Sequence, residues 1–226
     1  MINYHNNLIQ GTQAWLDARG GILTASNLNN IITPAKLAYA KNDKARSHVL
    51  ELAAQRVTGF VEPQFTTFSM ARGHEDEIYA REMYQLETKT EVQEVGFITQ
   101  HFGGGLTLGY SPDGLVSEHG LIEIKSRCQK YQMRTIAEGV APIEYMLQMQ
   151  TGMLVSGRKW CDFVSYCQGM PIFIVRVMAD ANYAEAIINA AIAMECDITA
   201  IIDAYNKNAA GRTIAERRSN DGEVEL

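Results

Sequence analysis

The chain has 226 residues, 46% of them hydrophobic and 20% charged, with a net charge of −6, enough to bury a substantial core as one large domain or two small ones. No apolar run approaches the ~20 residues of a membrane span, and "MINYHNNLIQ" lacks the basic start and apolar stretch of a secretion signal, so a cytoplasmic location is expected. The acidic balance argues against a protein that coats DNA nonspecifically, though it leaves open a nucleic-acid enzyme with locally clustered basic groups.

In chain order, "GTQAWLDARGG" reads as a short helix closed by glycines, and "TASNLNNIIT" as a second one with Thr24 or Ser26 near its cap. Residues 37–58 carry a helical pattern through Leu37, Ala40, Val49, Leu52 and Ala53 and stop before Gly59. Residues 68–86 read as another helix, with Ile78, Met83 and Tyr84 turned to the core. The period then shortens: "EVQEVGFIT", "GGLTLGY", "DGLVS" and "LIEIKS" predict antiparallel strands over about 91–126. "GGG" at 103–105 fits a hairpin turn, since no Lys-Ser/Thr follows it as a phosphate-cradling loop requires. Helices are predicted over 128–138 and 143–156, strands in "KWCDFVSYC" and "MPIFIVRVM", and a long helix over about 180–206. The polar end "NAAGRTIAERRSNDGEVEL" has no aromatics and predicts a mobile tail. The expected class is α/β: a single domain over 1–207 with a central mixed β-sheet flanked by helices, and a tail over 208–226.

Cys128, Cys161, Cys167 and Cys196 form no CxxC pair and have no histidine at zinc spacing, which predicts reduced thiols. "HEDEI" at 74–78 opens like a zinc-protease HExxH, but Ile78 stands where the second ligand would be.

The chemistry concentrates in "GYSPDGLVSEHGLIEIKS", residues 109–126. In "LIEIK", Glu123 and Lys125 share one strand face while Ile122 and Ile124 share the other. A three-residue turn, Glu118-His119-Gly120, with Gly120 at positive φ, would pair 115 with 123 and 113 with 125. That register brings Asp113, Glu123 and Lys125 together. A four-residue turn would point Asp113 away, and Pro112 with Gly114 leaves room for a bulge. Two adjacent carboxylates repel unless a cation lies between them, and carboxylate oxygens with a backbone carbonyl suit Mg²⁺ or Mn²⁺. Lys125 beside such an ion would orient or deprotonate a water, or stabilise charge on a phosphate. The same spacing also fits a plain hairpin with a solvated Glu123–Lys125 salt bridge.

"SPDG…IEIK" resembles the PD-(D/E)xK nuclease motif, with Asp113, Glu123 and Lys125 at its three positions. "QGTQAWLDARGGILTASNLNNII", "RGHEDEIYAREMY" and "EYMLQMQTGML" resemble further blocks of the phage lambda exonuclease family, in the same order, across about residues 10–165. The resemblance implies a restriction-endonuclease-like core and an alkaline exonuclease. Such an enzyme degrades one strand of linear duplex DNA from its 5′ end, leaving a 3′ overhang for phage recombination by strand annealing. It implies two Mg²⁺ per active site (Mn²⁺ able to substitute), a ring-shaped homotrimer, a single-strand annealing partner and the cytoplasm of a bacterial host. By position, Asp113 and Glu123 would be metal ligands with the Ile124 carbonyl. Lys125 and Gln148 would handle the attacking water, with Glu77 beside the ions. Arg19, Ser26 and Ser111 match the family's pocket for a 5′-phosphate, and Met70 its wedge at the terminal base pair. The last third of the chain matches less clearly, so contacts within the trimer are not mapped.

Each residue also has a plainer reading. Glu77 alone is a solvated helix face, Ser26 a helix cap and Ser111 a turn residue. Arg127, Lys130 and Arg134 make a basic stripe that is either a solvated face or a track for the DNA backbone. The methionines around Gln148 and Gln150 read as core, as do Trp15, Tyr79 and Tyr84. An endonuclease or junction resolvase on the same site, and a non-catalytic DNA-end binding module, are the competing functions.

Overall fold

The structure is a computed structural model that describes residues 1–33, 36–62 and 68–217, with the side chains of residues 68–71 outside the description. The chain begins with strand β1 (Ile2–His5), then helix α1 (Gln13–Arg19), β2 (Leu23–Thr24), a 3₁₀ turn and the short α2 (Leu28–Ile31). A small ribbon of β3 (Ile32–Thr33) and β4 (Ala38–Tyr39) precedes α3 (Asp43–Thr58) and α4 (Phe68–Thr88). Five strands follow: β5 (Val92–Gln93), β6 (Phe97–Gly103), β7 (Leu106–Tyr110), β8 (Gly114–Val116) and β9 (Gly120–Ser126). The rest is α5 (Gln129–Glu138), a 3₁₀ turn, α6 (Met146–Ser156), β10 (Trp160–Tyr166), β11 (Phe173–Met178) and α7 (Ala181–Ala209).

Helix limits follow capping chemistry. Thr12 Oγ1 accepts from Trp15 N at 3.4 Å at the start of α1, and Asn42 Oδ1 accepts from Ala45 N at 2.9 Å at the start of α3. The Asn42 cap is why α3 starts at Asp43 rather than Leu37, and residues 38–39 pair as a strand instead. Left-handed Gly59, Gly139 and Gly157 close α3, α5 and α6.

The fold class is the mixed α/β one expected, with the strands divided between two sheets of order β1-β6-β7-β2 and β11-β10-β9-β8-β5. β9 and β10 run parallel, as do β2 and β7; the other pairs in these two sheets are antiparallel. β1 is the strand that the polar sequence around it conceals. The three glycines at 103–105 all take positive φ in the β6–β7 hairpin. The second sheet is covered on both faces. Leu115, Leu121 and Phe163 pack with α6 and α7 in the main core, while Val116, Ile122, Ile124 and Val164 pack against Ala80 and Tyr84 of α4. Tyr84 is therefore core, but Ile78 and Met83 are exposed, because α4 turns Ala80 and Tyr84 to the sheet.

The β8–β9 hairpin differs in register from the expected one. Gly114 pairs with Ile122, Leu115 with Leu121 and Val116 with Gly120, so position 113 faces 123, not 125. The loop is Ser117-Glu118-His119, and the left-handed residue is Ser117 (φ 50°), not Gly120. Gly120 is needed for a different reason: a Cβ there would lie 2.1 Å from the ring of Trp160 on β10. The shift is two residues, and a two-residue slip preserves the face.

Candidate active site

Burial by the neighbouring sheet and helices sets the site's electrostatics. Glu123 is completely buried; its Oε2 accepts from Tyr110 Oη at 3.3 Å, and its Oε1 lies 2.6 Å from Lys125 Nζ. That contact is a close ion pair, and Oε1 has no partner besides Lys125 among the described residues. Tyr110 reaches this position because Gly152 of α6 has no Cβ, which would lie 2.7 Å from the tyrosine ring. Asp113 Oδ2 accepts from the Ile124 backbone N–H at 2.6 Å, which fixes the carboxylate across the hairpin.

Burial pushes the Asp113 carboxyl up to about 6, with the charge of Glu77 adding to it and Lys125 opposing. Burial likewise pushes Glu123 up to about 7, again opposed by Lys125. For Lys125, burial lowers the pKa, but the charges of Glu123 and Asp113 outweigh it and hold the pKa above its ordinary value. As it stands, Lys125 is an ammonium suited to stabilising negative charge rather than to removing a proton.

These features fit a divalent cation: a buried and a half-buried carboxylate whose charged forms burial disfavours, each raised further by a neighbouring carboxylate, Asp113 by Glu77 and Glu123 by Asp113. Among the described residues no three His, Cys, Asp or Glu side chains cluster as a metal cage; the expected set needs two carboxylates and the Ile124 carbonyl.

Glu77 projects from α4 into the same region. Its Oε1 accepts from Arg81 Nη2 at 2.6 Å, and it lines a cavity of about 780 Å³ with Asp113, Arg81, Glu94, His74 and Gln10. Burial raises its pKa, Arg81 lowers it, and the charge of Glu123 raises it further. Gln148, in the first turn of α6, is half-buried, and its side chain makes no hydrogen bond to the described residues.

A second cavity of about 460 Å³ shares Gln10, Gly11 and His74 with the first and is lined by Arg19, Thr24 and Ser26. Arg19 donates from Nη1 to Ser111 Oγ at 2.8 Å and from Nη2 to Thr24 Oγ1 at 3.4 Å. Thr24 Oγ1 in turn lies 3.3 Å from Ser26 Oγ. Arg19, Ser111 and Ser26 are thus one hydroxyl-linked group. No carboxylate pairs with Arg19 among the described residues. Burial lowers its pKa to about 10, so it stays charged at neutral pH. Glu51 lines the same cavity, but its Oε2 lies 3.0 Å from His48 Nδ1.

The basic stripe separates into unlike parts. Arg127 is buried and donates from Nη1 to Tyr145 Oη at 2.5 Å, whereas Lys130 and Arg134 are exposed on α5. The expected wedge, Met70, lies in α4 with its side chain outside the described residues. All four cysteines are free thiols, Cys161 and Cys167 buried and Cys128 and Cys196 exposed.

Several contributors escape a reading by motif. Trp15, read as core, is only partly buried; it donates from Nε1 to Ser111 Oγ at 3.0 Å and stacks under Arg19, 4.1 Å from ring centroid to guanidinium carbon. Tyr110 and Tyr145 flank Glu123 and Lys125. Arg81 was detectable only as the i+4 partner of Glu77.

A family model described as the YqaJ-like viral recombinase domain matches residues 14–159. The crystal structure of an alkaline exonuclease, LHK-Exo from Laribacter hongkongensis, is 37% identical, with a TM-score of 0.77 over 88% of this chain and 98% of that one. The structure of LHK-Exo in complex with dAMP gives a TM-score of 0.78 at the same identity and coverage. A phage-related exonuclease from Haemophilus somnus 129PT, 14% identical over 81% of this chain and 96% of its own, shares the fold at a TM-score of 0.60. No curated protein matches. The restriction-endonuclease-like core is therefore the fold, and the chain belongs to the YqaJ-like viral recombinase family, the lambda-exonuclease-like group that its sequence blocks resemble.

Proposed function

We propose that the protein is a Mg²⁺-dependent exonuclease that removes one strand of linear duplex DNA from its 5′ end. The product would be a 3′ overhang for phage recombination by strand annealing in the cytoplasm of a bacterial host. The observation that carries this reading is the shared wall of the two cavities. On one side lies a guanidinium paired with hydroxyls rather than a carboxylate, on the other Asp113 and Glu77. A terminal phosphate on Arg19, Ser26 and Ser111 would leave a nearby linkage for Asp113 and Glu123. Charge-assisted bonds from a planar guanidinium suit a phosphate monoester.

Asp113 and Glu123, with the Ile124 carbonyl, would hold Mg²⁺ (two ions, with Mn²⁺ as a substitute). Bound there, the metal supplies an activated water and charge neutralisation at the phosphate. Lys125 contributes a fixed positive charge beside the reacting phosphate, and Glu77 with Gln148 would orient the water. Met70 is proposed as the wedge at the terminal base pair. Lys130 and Arg134 are proposed to follow the DNA backbone; Arg127, buried against Tyr145, would assist from beneath. A ring-shaped homotrimer and a single-strand annealing partner complete the proposal.

Incubation with linear and circular duplex DNA and Mg²⁺, with and without a 5′-phosphate, tests it. Consumption of linear DNA alone, faster with the phosphate, is expected. Attack on the circle would indicate an endonuclease or junction resolvase, and binding without consumption of either would indicate an end-binding module.

A further inference from the structure

The geometry points to Arg81 as the positioning residue that holds Asp113 and Glu77 in register for the reaction proposed above, on which this inference rests. Asp113 immediately precedes β8, whose ladder with β9 begins at Gly114. Its backbone therefore needs other anchors. One is Arg81, whose Nε donates to the Asp113 carbonyl oxygen at 3.1 Å; another is Gln10, whose Nε2 donates to the Pro112 carbonyl at 2.9 Å.

Each nitrogen of the Arg81 guanidinium has its own partner. Nη2 donates to Glu77 Oε1 at 2.6 Å, and Nη1 lies 2.9 Å from Glu94 Oε1. The Arg81 side chain is 14% exposed, against 24% for Glu77 and 72% for Glu94. The Nε and Nη2 contacts are the shielded ones; the first ties α4 to the segment that leads into β8, and the second holds Glu77 on α4 itself. Arg81 is thus a single rigid fork between a carboxylate on a helix and the main chain of a carboxylate on a sheet. Lysine has one compact donor head and cannot hold both directions at once.

The test compares Arg81→Ala, Arg81→Lys and Glu94→Gln with the wild type. Readouts are kcat and KM on linear duplex DNA with Mg²⁺, Mn²⁺ binding by calorimetry, DNA affinity in Ca²⁺, and Tm. Displaced ligand-supporting groups typically cost ~10- to 100-fold in metal affinity or activity. Arg81→Ala should lose about that much in both kcat and Mn²⁺ affinity, with DNA affinity unchanged. Arg81→Lys, which keeps the charge and can pair with Glu77, should fall between, and it carries the test if the alanine variant does not fold. Glu94→Gln should resemble wild type.

A lowered Tm with wild-type kcat and Mn²⁺ affinity would make Arg81 a structural brace only and overturn the proposal. Weaker DNA binding at unchanged kcat would place it on the DNA and also overturn it. A wild-type protein that neither binds Mn²⁺ nor digests linear DNA would refute the nuclease reading itself.

Discussion

Asp113 and Glu123, the proposed metal ligands, illustrate how a residue placed for function can cost stability. Glu123 is buried and Asp113 half-buried, and both have pKa values raised by desolvation; folding without a cation therefore disfavours their charged forms. Neutral isosteres remove this penalty. Asp113→Asn and Glu123→Gln should abolish Mg²⁺-dependent cleavage; without metal, Asp113→Asn should leave Tm unchanged or higher, whereas Glu123→Gln also takes the ion-pair partner from Lys125 and should lower it. Near wild-type cleavage by Asp113→Asn would remove it from the ligand set. Lys125→Ala should lower the single-turnover rate by roughly 10²-fold with DNA binding little changed, as expected for a charge that acts in the transition state. Arg19 lines the other cavity. Hydrogen bonds to a charged group contribute about 1.5–3 kcal/mol, so Arg19→Ala should slow digestion of 5′-phosphorylated ends ~10-fold or more. It should also erase their advantage over 5′-hydroxyl ends while Mg²⁺ dependence stays the same. Retention of the full phosphate preference would move the pocket elsewhere.

At the scale of the element, the β8–β9 hairpin decides where these residues stand. Ser117 holds φ at 50° in its loop, a left-handed conformation that costs an L-residue roughly 1–2 kcal/mol. Glycine removes that strain and gives back about 0.4–1 kcal/mol through the entropy of the unfolded chain. Ser117→Gly should therefore raise stability slightly in denaturant titration without changing cleavage. Gly120→Val should do the reverse, because its side chain would meet the Trp160 ring, and overpacking costs about 1–3 kcal/mol. Sequence reasoning placed the positive φ on Gly120, since glycine is the usual left-handed residue. The sequence could not reveal that Trp160, forty positions away, claims the space above it. The face assignment survived because Asp113, Glu123 and Lys125 alternate with apolar residues, and a two-residue slip leaves that alternation intact. Helices α3 to α7 were legible from period and caps. Strands β1 to β4 were not, since two to four residues in polar surroundings carry no periodic signal. Arg81 and Tyr110 escaped for a related reason: their importance lies in contacts between elements, which no local pattern encodes.

At the scale of the whole molecule, the proposed reaction poses the question of how a chain with a net charge of −6 would stay on a polyanion through successive cuts. Basic side chains are available, but several are committed within the fold. Arg56 forms a double hydrogen bond with Glu195 at 2.6 and 2.7 Å, Arg176 does so with Asp162 at 2.8 and 2.9 Å, and Arg81 spans three partners. Affinity drawn from a few remaining phosphate contacts would fall steeply with salt. A closed ring would solve this differently, because topology would retain the DNA and symmetry would concentrate a few basic groups from each copy in one channel. The proposed C₃ homotrimer should therefore show three times the mass of one chain in light scattering at micromolar concentration. Its digestion of long linear DNA, once begun, should resist a competitor DNA trap at salt concentrations that prevent new binding. A monomeric mass, together with release of partly digested DNA into the trap, would refute the ring and leave each cut dependent on a fresh encounter.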